Sequence, residues 1–272
     1  FRTRRGLRSP AARDGPTDQK TLTTRAKETH VTQNLLDLAG IDRPMKTTLR
    51  DQIYTRLREA IMAGRFLPGQ HLGIIALAEA LNVSAMPVRE ALRQLVAEGA
   101  LEMLPNRMVK VPVMTHERFR QILGIRLLLE GHATELATPH FTDAQCDRLQ
   151  ELSDGMAAAL AENDAEAYFA LNQDFHFTIY KASNSDVLMQ HIRMLWLKMG
   201  PFIRLSYNQS GVKATEVNHG EAIAALRAHD PVAAANAIRM DLMEAAEVIQ
   251  EVNPAAFTDV EPEPALDPVD DE

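Results

Sequence analysis

Four side chains in the C-terminal half of the sequence have the types and the spacing of a divalent-metal site. Asn172 and His176 are four residues apart, so they share one face if this stretch is helical. His219 and Asp241 lie on two later stretches. Nitrogen and oxygen donors from three helices can converge in a bundle core and bind an ion there. The alternative is that the histidines are ordinary hydrogen-bonded or half-exposed residues, that Asn172 satisfies a neighbour, and that Asp241 is solvated.

Six helices between residues 115 and 251 must position these donors. Helical spacing is found throughout that range, with no convincing alternation. The helices are expected at about Glu117 to Ala137, after Thr142 with Gln145, after Asp164, after Asn184-Ser185-Asp186, around His219, and from Asp230-Pro231. Pro201 is expected to kink or split the fourth of them.

The order of elements between residues 49 and 113 indicates a second chemistry, the reading of DNA. Thr48 with Asp51 has the form of a helix N-cap, and apolar residues at helical spacing follow as far as Gly64. Pro68-Gly69 then enforces a turn, and a short second helix ends near Asn82. This order is typical of a helix-turn-helix domain.

A third helix begins after Ser84, whose hydroxyl is expected to cap it. Pro87 is tolerated because the first turn of a helix has no internal amide bonds to lose. Arg89 and Arg93 lie one turn apart, so both can reach base edges or phosphates when the start of this helix enters the major groove. The alternative is a small helical core with solvated charges.

An alternating stretch after Gly99 predicts a two-stranded wing. Leu101 and Met103 are expected to pair with the valines of residues 109–113, across a turn that ends at Arg107. Arg107 is then expected to meet a phosphate or the minor groove. The predicted DNA contacts are Ser84, Met86, Pro87, Arg89, Arg93 and Arg107.

Length and composition limit the class of protein. With 272 residues the chain is long enough for two domains with separate cores. Its formal net charge of −8 argues against indiscriminate coating of nucleic acid and favours a local basic surface. A single cysteine, Cys146, excludes an internal disulfide and fits a reducing compartment. Because the chain has neither a bilayer-spanning apolar run nor the apolar core of a secretory signal, the expected location is cytoplasmic.

These patterns predict a mostly α protein with an N-terminal winged helix-turn-helix and a C-terminal all-α antiparallel helical bundle. Residues 1–45 are expected to form a disordered extension, the alternative being an arm that adds phosphate contacts. Residues 46–114 form the DNA-binding domain and residues 115–251 the bundle. Residues 252–272, which contain acids and prolines but no lysine or arginine, are expected to be a disordered, solvated tail.

The DNA-reading segment resembles the winged helix-turn-helix of the GntR family of bacterial transcription regulators. That family has a Leu-Ala pair and then a Ser-x-x-Pro-Val-Arg-Glu-Ala-Leu string, which Leu77-Ala78 and residues 84–92 match. The family commonly has Arg directly after the Ser, where this chain has Ala85, and Gly in the wing, where it has Met108. Since the first of these departures removes a DNA contact, Arg89 is expected to carry more of the specificity than its family counterpart.

Residues 119–248 resemble the FCD ligand-binding domain of the FadR branch of that family, in its six-helix, VanR-like type. The residues that carry the resemblance are Arg126-x-x-Leu129-Glu130, Asn172-x-x-Phe175-His176, Ala182-Ser183-Asn184, and His219 with Ile223 and Leu226. In metal-binding members, an Asp or Asn and a His one turn apart join two later histidines, and the ion helps to hold an organic acid. The resemblance implies the ligands Asn172, His176, His219 and Asp241, the last being a carboxylate where the family has histidine. Zn²⁺, Ni²⁺ and Mn²⁺ are all open as the ion.

Arg126 is expected to bind the effector, because a guanidinium inside an apolar bundle must find an anion and its fork matches a carboxylate. A salt bridge to Glu130 on the next turn is the alternative, and Arg204 is a second candidate. The hypothesis is a homodimeric transcription regulator, expected to be a repressor, that binds a two-fold DNA operator and senses a small organic acid. Effector binding would act through the linker near residues 112–115.

Two other functions are open from the sequence. One is a metal-dependent hydrolase or lyase, and the other is a DNA-binding dimer whose bundle is purely structural. No general base stands out beside the candidate ligands, which argues against an enzyme.

Overall fold

The computed structural model describes residues 48–106, 108–206, 212–252 and 256–258, and most of them lie in helices. The extension expected at residues 1–45, the contact expected from Arg107 and most of the expected tail lie outside this part of the chain. From Thr48 onward the chain forms one compact unit. The predicted mostly α fold class is confirmed, with a winged helix-turn-helix followed by a helical bundle.

Residues 48–114, which we call the head, contain three helices and three short strands. These are α1 Leu49–Met62, β1 His71–Leu72, α2 Ile74–Leu81, α3 Ala85–Ala97, β2 Glu102–Met103 and β3 Val109–Lys110. The N-cap predicted at Thr48 is present as a reciprocal capping box, in which Thr48 Oγ1 accepts the N–H of Asp51 and the Asp51 carboxylate accepts the N–H of Thr48. Asn82 ends α2 in the left-handed conformation, which asparagine tolerates.

Ser84 stands at the N-cap of α3 with extended backbone, but its hydroxyl makes no capping hydrogen bond. The expected cap is therefore wrong, and the reason lies three residues later. An N-cap side chain accepts from the second or third amide of the helix, and the third residue here is Pro87, which has no N–H.

The wing contains one strand more than predicted. β2 pairs with β3 in antiparallel register, with Glu102 opposite Lys110 and Met103 opposite Val109. β1 pairs with the other edge of β3, so the sheet has three strands in the order β1-β3-β2. The extra strand was not predicted because two residues are too short for an alternating pattern.

The bundle that follows the head consists of six helices in the described part of the chain, the number predicted. They are α4 His116–Ala137, α5 Asp143–Ala161, α6 Ala165–Lys181, α7 Asp186–Ile203, α8 Val212–Arg227 and α9 Pro231–Val252. Short 3-10 turns follow α4 and α7, at Thr138–His140 and Arg204–Ser206. The expected caps are present, since the side chains of Thr142, Asp164 and Asp230 accept amide hydrogens at the starts of α5, α6 and α9.

Pro201 lies inside α7, two residues before the helix ends at Ile203. It cannot donate a hydrogen bond to the carbonyl four residues earlier. The helix nevertheless continues to Ile203, so of the two expected effects, a kink or a split, the split does not occur. A proline in the last turn of a helix removes one backbone hydrogen bond, and few helical hydrogen bonds follow it.

The head packs directly against the bundle at Gly200 of α7. The carbonyl oxygens of Ile61 and Met62, at the end of α1, occupy the space in which a side chain at position 200 would begin. Arg65 also pairs with Glu166 of α6, with Nη2 2.5 Å from Oε1. Apolar side chains of head and bundle belong to one buried cluster, so the separate cores expected from chain length are not found in the described residues.

Residues 256–258 pack against the start of the bundle. Ala256 is buried, and the Phe257 ring stacks on His116 with centroids 4.2 Å apart and meets Phe119 edge-on at 5.3 Å. The N–H of Thr258 donates to the carbonyl oxygen of Met114 at 3.2 Å. The expectation of a wholly solvated tail is therefore wrong at these three residues, because the Phe257 ring packs on His116 and Phe119 and holds them in place.

Candidate functional site

Three of the four predicted metal ligands meet in the interior of the bundle. His176 of α6, His219 of α8 and Asp241 of α9 are 1%, 1% and 4% exposed, and one ligand atom of each lies within 4.8 Å of the others. His176 Nε2 is 3.2 Å from Asp241 Oδ2, and His219 Nε2 is 3.6 Å from Asp241 Oδ1. Three separate helices have to pack correctly before this cluster exists, so its convergence is a property of the fold.

Two atoms of this cluster have no hydrogen-bond partner among the described residues. They are His219 Nε2 and Asp241 Oδ1, and both are fully buried. A buried polar atom left without a partner costs about 1–3 kcal/mol. These two atoms face each other across the cluster, where a shared cation would satisfy both.

Burial and charge act in opposite directions in the cluster. Burial lowers the pKa of His219 to about 4, although the Asp241 carboxylate opposes this change. Burial alone would raise the pKa of Asp241, but the facing His219 and His176 outweigh it and hold that pKa below its ordinary value. At neutral pH the cluster therefore presents a neutral imidazole of His219 and a carboxylate, the forms that bind metals.

A chain of buried hydrogen bonds connects His176 to residues that the sequence analysis did not assign to the site. His176 Nδ1 is 3.0 Å from the hydroxyl of Tyr180, which donates to Glu130 Oε2 at 2.6 Å. Glu130 also accepts from Arg126 Nε at 2.6 Å and from Trp196 Nε1 at 3.1 Å. The interior thus holds one continuous polar network running from the metal-ligand candidates to Arg126.

Asn172 is buried on α6 one turn before His176, on the face that the spacing predicted. Arg126 is 3% exposed, and its guanidinium forms an ion pair with Glu130 and lies over the Trp196 ring at 5.0 Å. The alternative given for Arg126, a salt bridge to the next turn, is therefore present. Arg204 follows α7 and lies 5.6 Å over the Phe169 ring.

The predicted DNA-reading residues that the structure describes lie on the surface of the head. Ser84, Arg89 and Arg93 are exposed, Met86 is 61% exposed and Pro87 is half-buried. No ion pair involves Arg89 or Arg93 among the described residues, and their guanidinium groups stand on the open side of α3. This arrangement leaves the N-terminal turn of α3 accessible to a duplex.

One polar residue of α3 faces inward instead. Gln94 directly follows Arg93, but its side chain accepts a hydrogen bond from Arg50 of α1 at 2.6 Å. Its amide also donates to Glu98, which accepts the hydroxyl of Tyr54 at 2.7 Å. Gln94 therefore joins α3 to α1 inside the head.

The residues that sequence reasoning missed are Tyr180 and Trp196, together with the network role of Glu130. Tyr180 stands four residues after His176, so helical spacing put it on the same face as a metal-ligand candidate. Trp196 is the single tryptophan of the chain. No local pattern could have placed it against Glu130, which is 66 residues away in sequence.

Family models match both parts of the chain. A model of bacterial regulatory proteins of the gntR family matches residues 49–111, and a model of the FCD domain matches residues 121–243. Within the described part of the chain, no helix has both the length and the apolarity needed to cross a membrane.

Similar proteins carry regulator names. The HTH-type transcriptional regulator McbR of Escherichia coli K12 is 32% identical over 196 residues, which are 71% of this chain and 89% of that protein. The HTH-type transcriptional repressor RspR of the same organism is 24% identical over 207 residues, 75% of this chain and 90% of that protein. A solved structure of E. coli McbR/YncC superposes with a TM-score of 0.67 at 31% identity, covering 77% of this chain and 97% of that one.

A second solved structure supports the fold alone. It is described as a putative transcriptional regulator GntR from Rhodococcus sp. RHA1, and it superposes with a TM-score of 0.61 at 24% identity. The superposition covers 74% of this chain and 97% of that one.

Proposed function

The chain belongs to the gntR family of bacterial regulatory proteins and carries an FCD domain, and from this premise we propose how its DNA binding is controlled. As a member of that family it is a DNA-binding transcription regulator and not an enzyme. We propose that a divalent metal ion and a small carboxylate, both bound in the bundle, set its affinity for DNA. We also propose that it acts as a repressor and that it belongs to the FadR branch, in the six-helix VanR-like type.

The observation that carries the metal proposal is the pair of buried partnerless atoms, His219 Nε2 and Asp241 Oδ1. Donor atoms about 2.1 Å from one ion stand about 3–3.5 Å from each other at tetrahedral or octahedral angles. The distance from His176 to Asp241, 3.2 Å, lies within that range, and the distance from His219 to Asp241, 3.6 Å, lies just beyond it. Two imidazoles and one carboxylate suit Zn²⁺, Ni²⁺ or Mn²⁺, with the Asn172 amide oxygen as a weaker fourth donor.

Metal analysis of the purified protein tests this proposal directly. We expect about one equivalent of a first-row divalent ion per chain, or its uptake from a Zn²⁺, Ni²⁺ or Mn²⁺ titration after chelation. His219→Ala should abolish uptake, whereas His191→Ala, which changes an exposed histidine of α7, should retain it. Uptake that is the same in wild type and in His219→Ala would rule out this site.

The effector proposal rests on the charge around the bundle interior. A bound divalent ion would attract a carboxylate, and Arg126 and Arg204 are the cations that we propose help to hold it. Arg126 already pairs with Glu130, so contact with an effector would require its guanidinium to bind two carboxylates. The Arg204 guanidinium, which lies over the Phe169 ring, forms no ion pair among the described residues. We therefore expect Arg204→Gln to weaken the stabilisation of the metal-loaded protein by organic acids in a thermal-shift series.

An exposed apolar stripe on α4 supports the proposal of a homodimer. Ile125 and Leu128 are 48% and 66% exposed, on the helix that carries Arg126 and Glu130 on its buried face. A second copy packed on this stripe would bury both side chains, and a two-fold dimer carries two α3 helices, as a two-fold operator requires. Leu128→Glu should then lower the sedimentation mass to that of a monomer, while Leu49→Glu, at an exposed position in the head, should not.

Repression is tested with a reporter placed behind an operator selected from random duplexes by the protein itself. We expect the regulator to lower reporter expression and the cognate acid to restore it. Increased expression in the presence of the regulator would show that it activates instead.

A further inference from the structure

The hydroxyl of Tyr180 is placed between two buried groups that compete for its single hydrogen. It lies 2.6 Å from Glu130 Oε2 and 3.0 Å from His176 Nδ1, and all three residues are at most 1% exposed. A phenol donates one hydrogen bond and can accept others. The direction of one of these bonds therefore fixes the direction of the other.

The surroundings of Glu130 settle that direction. A carboxylate only accepts hydrogen bonds, and Glu130 is surrounded by the guanidinium of Arg126 and the indole N–H of Trp196, which only donate. Tyr180 must therefore donate to Glu130, and its oxygen is left to accept from His176. Burial raises the pKa of Tyr180 well above its ordinary value, so the hydroxyl keeps its hydrogen.

We propose that Tyr180 and Glu130 are positioning residues that keep a hydrogen on Nδ1 of His176, so that Nε2 is the nitrogen offered to a cation beside Asp241. The proposal rests on the metal site proposed above and assigns the groups that orient one of its ligands. Such outer partners fix the tautomer and the ring plane of a metal-binding histidine.

The Nε2 side of the His176 ring shows the effect of this orientation. With its hydrogen on Nδ1, neutral His176 directs the Nε2 lone pair at Asp241 Oδ2, 3.2 Å away. Two acceptors at that distance repel each other unless a positive charge lies between them. A cation bound between Nε2 and Oδ2 would supply that charge.

The test compares two matched substitutions, Tyr180→Phe and Tyr54→Phe. Each removes a tyrosine hydroxyl that donates to a glutamate, Glu130 in the bundle at 2.6 Å or Glu98 in the head at 2.7 Å. We expect Tyr180→Phe to weaken the binding of Zn²⁺ or Mn²⁺ by about 10- to 100-fold in a competition titration. Tyr54→Phe should leave the affinity unchanged. Equal affinities in wild type and Tyr180→Phe would overturn the proposal.

A second readout reports the tautomer without any metal. In protein labelled with ¹⁵N-histidine and kept metal-free, the His176 signals are identified by their loss in His176→Gln. The neutral His176 ring of the wild type should show a protonated Nδ1 and an unprotonated Nε2, and Tyr180→Phe should lose this preference. A neutral wild-type ring that carries its hydrogen on Nε2 would overturn the proposal, and this measurement decides even if Tyr180→Phe does not fold.

The two proposals can fail separately. If the wild type binds no divalent ion but shows the Nδ1 hydrogen, and Tyr180→Phe loses it, the metal proposal falls and the role of Tyr180 and Glu130 in fixing the ring stands. If the wild type binds metal and Tyr180→Phe binds it equally well, the metal site stands and the positioning role falls.

Discussion

Helix α3 of the head and the buried cluster of the bundle hold their polar side chains in opposite ways. Arg89 and Arg93 stand in solvent, where an unpaired charge costs little. His176, His219 and Asp241 are almost fully buried, so each atom needs a partner inside the molecule. An unpaired charge on α3 therefore needs no further partner, whereas the buried atoms of the bundle cluster that lack a hydrogen-bond partner support the proposed metal site.

The largest contrast is expected from removing one partner of the buried network. Glu130→Ala leaves the Arg126 guanidinium buried without its carboxylate, which should lower the free energy of unfolding by about 3–5 kcal/mol. Glu135→Ala, on the same helix, breaks a half-exposed pair with Arg239 and should cost about 0–1 kcal/mol. Urea unfolding at pH 7 with a chelator measures both, and equal losses would contradict the contrast.

An exposed arginine of α3 should contribute to DNA binding and not to the stability of the fold. Arg89→Ala is expected to weaken binding to a selected operator by about 1–3 kcal/mol and to reduce its preference over a scrambled duplex. Arg148→Ala, on the surface of α5, should leave DNA binding unchanged. A fluorescence-anisotropy titration in which Arg89→Ala keeps its operator preference would show that the specificity lies elsewhere.

The buried histidine should make stability depend on pH. Because burial lowers the pKa of His219 to about 4, the unfolded chain takes up a proton on this residue between about pH 6.5 and 4 and the folded chain does not. The stability that comes from this difference is present above pH 6.5 and is lost as the pH falls through that window, by up to about 1.4 kcal/mol per pH unit. In urea unfolding of metal-free protein, His219→Gln should flatten this dependence. His140→Gln, at an exposed position, should leave it as in the wild type.

The smallest effect is expected at Ser84. Since its hydroxyl makes no capping bond, Ser84→Ala should change the free energy of unfolding by less than about 0.5 kcal/mol. Thr142→Ala, which removes a working capping box from α5, should cost about 1 kcal/mol. Thermal unfolding of the two variants compares them, and a loss at Ser84 as large as that at Thr142 would mean that Ser84 caps its helix after all.

Local patterns predicted the helices and the exposed face of α3. The caps at Thr48, Thr142 and Asp164 depend on residues three positions apart, so the sequence alone contains both partners. The same logic failed at Ser84, where the helical pattern was correct but Pro87 removed the donor. Strand β1 was too short to leave an alternating pattern.

The buried site was predictable only as a set of candidates. Spacing joined Asn172 to His176, but the approach of His219 and Asp241 depends on how three helices pack. Glu130 meets Trp196 across 66 residues, and Phe257 meets His116 across most of the bundle. Such contacts are fixed by tertiary packing, which periodicity does not contain.

Because Gly200 has no side chain, α7 contacts the backbone of the head directly. Trp196 lies one turn earlier on α7 and donates a hydrogen bond to Glu130. One helix, α7, therefore contacts both the buried polar network and the backbone of the head. Because no side chain lies between α7 and the end of α1, a shift of α7 toward α1 would bring it directly against the carbonyl oxygens of Ile61 and Met62. This backbone contact is a second connection between the bundle and the head, besides the chain segment at residues 112–115.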